Sequence, residues 1–229
     1  MARPLRSPRA RAAQALALAA AAALAALVGP PARGEAAERA SLPPERQLEE
    51  ARRCAAALER AAAREGVPLR LMRAVALVET GTTIRFPDRL VRTPWPWSVN
   101  ADGEGRLFAS RAAAERFAAA RQAAGARAID AGCMQINHRW HGRHFDSLAA
   151  MFDPEANAAY AARFLRSLYE ETGDWMRAAG YYHSRTEAHF SRYAAKLRDV
   201  YAALSGGAEA AFAAEPRLRA LARLNAGEA

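Results

Sequence analysis

The segment Leu69-Arg70-Leu71-Met72-Arg73-Ala74-Val75-Ala76-Leu77-Val78-Glu79-Thr80-Gly81 decides how the rest of the chain is read. Pro68 stands where a first helical turn tolerates proline, and Gly81 follows the last apolar turn. The spacing therefore predicts a helix from Pro68 through Thr80. Its apolar stripe is Leu71, Met72 and Val75, and Glu79 lies eight, seven and four residues after them. That periodicity sets a carboxyl group on the core-facing side, one turn from the helix end. Burial disfavours the ionised form and raises the pKa, and the negative end of the helix dipole acts in the same direction. A carboxylic acid kept protonated near neutral pH is what a glycosidase uses to protonate a leaving oxygen. The pattern alone is also met by a glutamate that pairs with an arginine or turns out to water.

Upstream, Leu48, Ala51, Ala55, Leu58 and Ala62 recur at helical spacing from Glu45 to Glu65, and Gly66 stops that helix. Downstream, residues 82–109 carry Pro87, Pro94, Pro96, Gly103 and Gly105 with Trp95 and Trp97 between. They read as irregular loop with a short hairpin near Ser98–Phe108. Ser110 caps a helix to about Ala124, and Asp153-Pro154 starts another that Gly173 stops. Asp174 caps a short helix reaching Tyr182, and Thr186 caps one with the stripe Phe190, Tyr193, Leu197, Val200, Tyr201 and Leu204. After Gly206-Gly207 the tail 205–229 reads as weak helix or disorder. The fold class expected is a mainly α domain over residues 45–204, with one long loop and short hairpin insertion.

The N-terminus fixes the compartment. Arg3, Arg6, Arg9 and Arg11 precede an Ala/Leu-rich run from Ala12 to Val28, then Pro30-Pro31 and the small residues of Gly34-Glu35-Ala36. That order is the layout of a secretory signal peptide over residues 1–36, followed by a linker at 37–44. An uncleaved membrane anchor is the alternative, because the apolar run is near the lower limit for spanning. Either way the protein is expected to be exported, in the periplasm. Removing residues 1–36 takes five arginines and one acid, and the formal charge falls from +9 to +5. No Lys/Arg block with interleaved aromatics follows, which speaks against nucleic acid as a partner. The two cysteines, Cys54 and Cys133, argue for one disulfide in an oxidising compartment, two buried thiols being the alternative.

Three stretches occur in order: Val78-Glu79-Thr80-Gly81, Gly132-Cys133-Met134-Gln135-Ile136-Asn137 and Tyr182-His183-Ser184. They resemble the signature stretches of the lytic transglycosylases related to goose-type lysozyme, and the resemblance covers roughly residues 45–204. It implies a lysozyme-like (goose-type) helical fold and a peptidoglycan substrate. It implies Glu79 as the one catalytic carboxyl group, acting first as acid and then as base, and no cofactor. It gives Thr80, Gln135, Asn137 and Tyr182 to the substrate cleft, with Met134 offering an apolar surface to a sugar ring. Ser98 and Asn100, from the inserted loop, would meet sugar N-acetyl groups. The segment Pro94–Asn100 is similar to the specialised subgroup that opens the wall for secretion, pilus or flagellar apparatus. The sequence departs from the family pattern at Thr80, Cys133, His183 and Arg185. Thr80 keeps the hydroxyl of the usual serine, and Cys133 in place of leucine fits a bridge to Cys54. His183 in place of asparagine puts the polar contacts of the third stretch in doubt.

Trp95 and Trp97 fit either sugar platforms or packing of a Pro-rich loop. His138, His141 and His144 lack the helical two-histidine spacing of zinc hydrolases and a completing carboxylate, so aromatic packing is expected there and no metal. Two rival readings remain. One is a hydrolytic lysozyme, with Asp102 or Asp130 as second carboxylate. The other is a glycan-binding adaptor without activity.

Overall fold

A computed structural model describes residues 42–204. The expected signal segment 1–36, most of the linker and the tail 205–229 lie outside the described residues. The protein is mainly helical. Helix α1 (Pro44–Glu65) is followed by α2 (Leu69–Thr80). A hairpin of β1 (Thr82–Arg85) and β2 (Leu90–Thr93) comes next, then β3 (Ser98–Ala101) and β4 (Glu104–Leu107). Helix α3 (Arg111–Ala123) leads to β5 (Ile129–Ala131), β6 (Ile136–Asn137) and the single turn α4 (His138–His141). Two 3₁₀ turns then precede α5 (Pro154–Thr172), α6 (Trp175–His183) and α7 (Glu187–Ala203).

The punctuation acts as its chemistry requires. Gly66 and Gly173 end α1 and α5 with φ of 65° and 67°, the left-handed conformation that glycine adopts without strain. The side chains of Ser110, Asp153 and Asp174 accept backbone N–H groups at the starts of α3, α5 and α6. Thr186 occupies the same position before α7, but its hydroxyl makes no capping bond.

Helix α1 packs against α5, α5 against α6, α6 against α7, and α7 back against α2. Their shared core includes Leu58, Leu71, Met72, Leu165 and Leu197, all essentially inaccessible. Cys54 of α1 is bonded to Cys133, with Cα atoms 5.8 Å apart and a sequence separation of 79. Closing so long a loop stabilises the fold by about 4 kcal/mol on the chain-entropy account.

The segment read as irregular loop is largely β structure. Thr82 pairs with Thr93 and Arg85 with Leu90 in an antiparallel hairpin, and the expected hairpin near Ser98–Phe108 is β3–β4. A four-stranded sheet has the order β4-β3-β5-β6, so strands from two separated stretches meet. Strands this short carry too little alternation to be distinguished from turn sequence. Trp95 and Trp97 belong to the core: they are 0% and 4% exposed, and their ring N–H groups donate to the Phe108 carbonyl and the Glu50 carboxylate.

Candidate active site

The sheet register builds one wall of a cleft. Asn100 on β3 lies directly opposite Asp130 on β5, and Asp130 lies opposite Asn137 on β6. Side chains alternate along a strand, so partners in register share a face. The Asn137 amide donates to Asp130 Oδ1 at 2.6 Å and the Asn100 amide to Oδ2 at 3.3 Å. The Asn100 Oδ1 is buried with no hydrogen-bond partner among the described residues, an acceptor waiting for a donor. Burial raises the Asp130 pKa, and the Asn137 hydrogen bond lowers it.

The helices build the other wall. Glu79, at the end of α2, lines a cleft of about 500 Å³ together with Asn100, Asp130, Gln135, Asn137, Tyr182 and His183. That volume falls in the ordinary range for ligand sites, roughly 300–1,000 Å³. Burial pushes the Glu79 carboxyl up from 4.5 to about 7. The hydroxyl of Tyr193 on α7 opposes that rise by favouring the ionised form, the negative Asp130 adds to it, and the Lys196 cation opposes it. The Tyr193 hydroxyl has no well-formed hydrogen bond among the described residues, and its ring stacks on His183 at 4.4 Å. Lys196 Nζ donates to the Val78 carbonyl at 3.2 Å, which places its charge at the C-terminal end of α2, one residue from the carboxyl group.

The turn between β5 and β6 is held by a residue the sequence did not single out. Asn157 of α5, fully buried, accepts from the Met134 N–H and donates to the Ala131 and Met151 carbonyls, all at 2.9 Å. Gly132, at φ +78°, passes so close that a Cβ there would lie 2.5 Å from the Asn157 amide. Gln135 also takes a left-handed φ of 45°, uncommon for a residue with a side chain. Its amide donates to the Gly132 and Ser98 carbonyls, leaving its own oxygen as the acceptor available to a ligand. Tyr182 donates to the Met134 carbonyl at 2.7 Å.

Of the expected site residues, the structure brings Glu79, Asn100, Gln135, Asn137 and Tyr182 to one cleft and sets three others behind it. Met134 is completely buried, so it offers no surface to a sugar; the turn that presents Gln135 directs the Met134 side chain into the core. Thr80 is 4% exposed, and its hydroxyl bonds the Ala76 and Cys133 carbonyls and receives the Trp95 N–H. It ties α2 to the Cys133 turn rather than meeting solvent. Ser98 is likewise buried, with its hydroxyl on the Trp95 carbonyl. Asp102, one of the two candidate second carboxylates, accepts the backbone N–H groups of Arg127 and Ala128 as a turn anchor and does not line the cleft.

Asn157, Tyr193 and Lys196 were missed as site residues. Tyr193 was legible only as part of an apolar stripe, and Lys196 only as the sole lysine of the chain. Asn157 gave no signal beyond being a polar residue inside a helix. Two of the three histidines, His141 and His144, pack on the Tyr160 ring. His141 meets the Tyr160 hydroxyl at 2.6 Å and contacts the rings of Tyr160 and Phe164. Among the described residues no three His, Cys, Asp or Glu side chains are placed to hold a metal ion.

Residues 109–201 match the Transglycosylase SLT domain family, the lysozyme-like lytic transglycosylases. The matched span contains the sheet wall from Asp130 to Asn137 and the helical residues Tyr182, Tyr193 and Lys196, and it begins after Glu79. No curated protein and no solved structure matches the chain. Among the described residues, no helix is long and apolar enough to cross a membrane.

Proposed function

We propose that the protein cleaves the β-1,4 bond between N-acetylmuramic acid and N-acetylglucosamine in peptidoglycan and leaves a 1,6-anhydromuramic end. The observation that carries this reading is Glu79: a carboxyl group with its pKa pushed up to about 7, in a cleft whose lining residues Asp130, Gln135, Asn137 and Tyr182 lie in the span similar to transglycosylase domains. In the first step the protonated Glu79 gives its proton to the glycosidic oxygen as the C1–O bond breaks. In the second, the 6-hydroxyl of the same muramic acid closes onto C1 and returns its proton to the Glu79 carboxylate. A pKa near the working pH suits a group that must be acid and then base. Tyr193 and Lys196 favour the ionised form needed between the steps, while burial favours the protonated form needed before them. The free oxygens of Gln135 and Asn100 are acceptors for sugar hydroxyl and N-acetyl N–H groups.

Hydrolysis is the second reading, favoured by Asp130 in the same cleft. Against it, both Asp130 oxygens already accept side-chain amides, which leaves that carboxylate poorly suited to activate a water. The disulfide fits an oxidising, extracytoplasmic compartment. The basic start and apolar run of residues 1–36 fit export to it, and service to a secretion, pilus or flagellar apparatus belongs to the same proposal. The test is mass spectrometry of soluble fragments released from purified sacculi by the protein and by Glu79→Gln. Anhydro ends lost in the variant are expected. Reducing ends would establish hydrolysis, and intact sacculi with folded protein would favour a binding adaptor.

A further inference from the structure

Trp140 is unlike every other large apolar side chain among the described residues: it is 65% exposed. It is also part of the cleft lining, on the single-turn helix α4. A solvent-facing indole has no folding role that would keep it there, since Trp95 and Trp97 are buried. Its backbone is nonetheless fixed. Asn137 accepts the Trp140 N–H with its amide oxygen while its amide nitrogen holds Asp130. The anchor of the indole is therefore the same side chain that orders the sheet wall.

The surroundings of the ring suit a flat, polar-edged ligand. The Arg139 guanidinium stands 5.2 Å from the Trp140 ring centroid, within the range of a cation–π contact. Gly103, at the β3–β4 turn, and Gly105, on β4, line the same cleft, and the space where a Cβ would stand is empty at both. Main chain from the β3–β4 hairpin and an indole from α4 thus line one cleft. An aromatic face takes the aliphatic C–H face of a pyranose, and the exposed edges of the sugar remain free for solvent and amide contacts.

We propose that Trp140 is the stacking platform of a sugar subsite, taking an N-acetylhexosamine ring of the glycan strand next to the reacting pair. The proposal rests on the reading of this cleft as a peptidoglycan site. Trp140 supplies binding away from the reacting bond, so its loss weakens substrate affinity more than it slows the bound complex.

The experiment uses the exported protein with chitotetraose as soluble probe and purified sacculi as substrate, comparing wild type, Trp140→Ala and Trp140→Phe. In the wild type, binding is followed by calorimetry and by tryptophan emission, to which the partly buried Trp175 contributes beside the exposed Trp140. For the two variants, binding is followed by calorimetry. Trp140→Ala is expected to weaken chitotetraose binding roughly tenfold, and Trp140→Phe to retain most of it. Circular dichroism and melting should be unchanged in both, because the side chain is outside the core. Equal affinity in wild type and Trp140→Ala overturns the platform while leaving sacculus cleavage, and hence the proposed function, standing. Wild-type protein that is folded but leaves sacculi intact overturns the proposed function and the platform with it.

Discussion

The two walls of the cleft each carry a carboxyl group whose pKa burial raises, and they differ in the partners they give it. The sheet wall gives Asp130 an amide donor on each oxygen, supplied by cross-strand neighbours in register. The helical wall gives Glu79 burial at the end of α2, a tyrosine hydroxyl and one cation at the helix terminus. Amide donors on both oxygens tie Asp130 into the sheet and offset part of its desolvation, whereas at Glu79 desolvation outweighs the Tyr193 hydroxyl and the Lys196 cation and keeps a transferable proton on. On the proposed function, the cleft would thus separate an architectural acid, Asp130, from a reactive one, Glu79.

The largest expected effect breaks the helical wall. Glu79→Gln should lower the rate of sacculus cleavage by about a thousandfold or more, since removing a general acid forfeits roughly 10²–10⁴. The same change should stabilise the fold at pH 8. A carboxyl group whose folded pKa is raised above 4.5 binds its proton more tightly folded than unfolded. Its contribution is therefore neutral below pH 4.5 and turns unfavourable as pH rises towards 7. Glu79→Gln removes that penalty, worth up to about 3 kcal/mol, and urea melts at pH 4 and pH 8 would reveal it as a gain confined to the higher pH.

Breaking the support of the sheet wall comes next. Asn157→Ala leaves the Met134 N–H and the Ala131 and Met151 carbonyls unpaired in the core. Roughly 3 kcal/mol of stability should be lost, measurable by denaturant unfolding. Loss of under 1 kcal/mol would show that the Gln135 turn is held by something else. Asp130→Asn sharpens the comparison. An architectural role predicts less than a tenfold fall in turnover, whereas a water-activating base predicts a fall of a hundredfold or more. The smallest effect concerns tuning. Lys196→Met removes a cation that favours ionised Glu79, so the high-pH limb of activity should move upward by about half a unit. An unmoved limb would remove Lys196 from the account.

The helical frame was legible because its signals are local. Pro68 and Gly81 bracket the Glu79 helix, Gly66 and Gly173 stop α1 and α5, and Asp153 and Asp174 cap helices as their residue types suggest. The sheet was not legible beyond one hairpin. Strand β5 is three residues long and β6 two, and the site they form with β3 depends on a pairing between stretches about 30 residues apart. Met134 shows the same limit from the other side. It sits between Cys133 and Gln135 in a stretch that reads as cleft, yet the left-handed turn at Gln135 parts their side chains between cleft and core. Glu79 was readable because helical periodicity alone set its carboxyl group on an apolar face.

The central claim is that Glu79 keeps its proton to near neutral pH while the second carboxyl group of the cleft is held by amides. Carbon-13 NMR titration of side-chain carboxyls, with Glu79 assigned by its absence in Glu79→Gln, measures this directly. The account predicts a Glu79 midpoint near 7. A midpoint near the ordinary glutamate value of about 4.3 would contradict it, and with it the assignment of acid and base to one buried group.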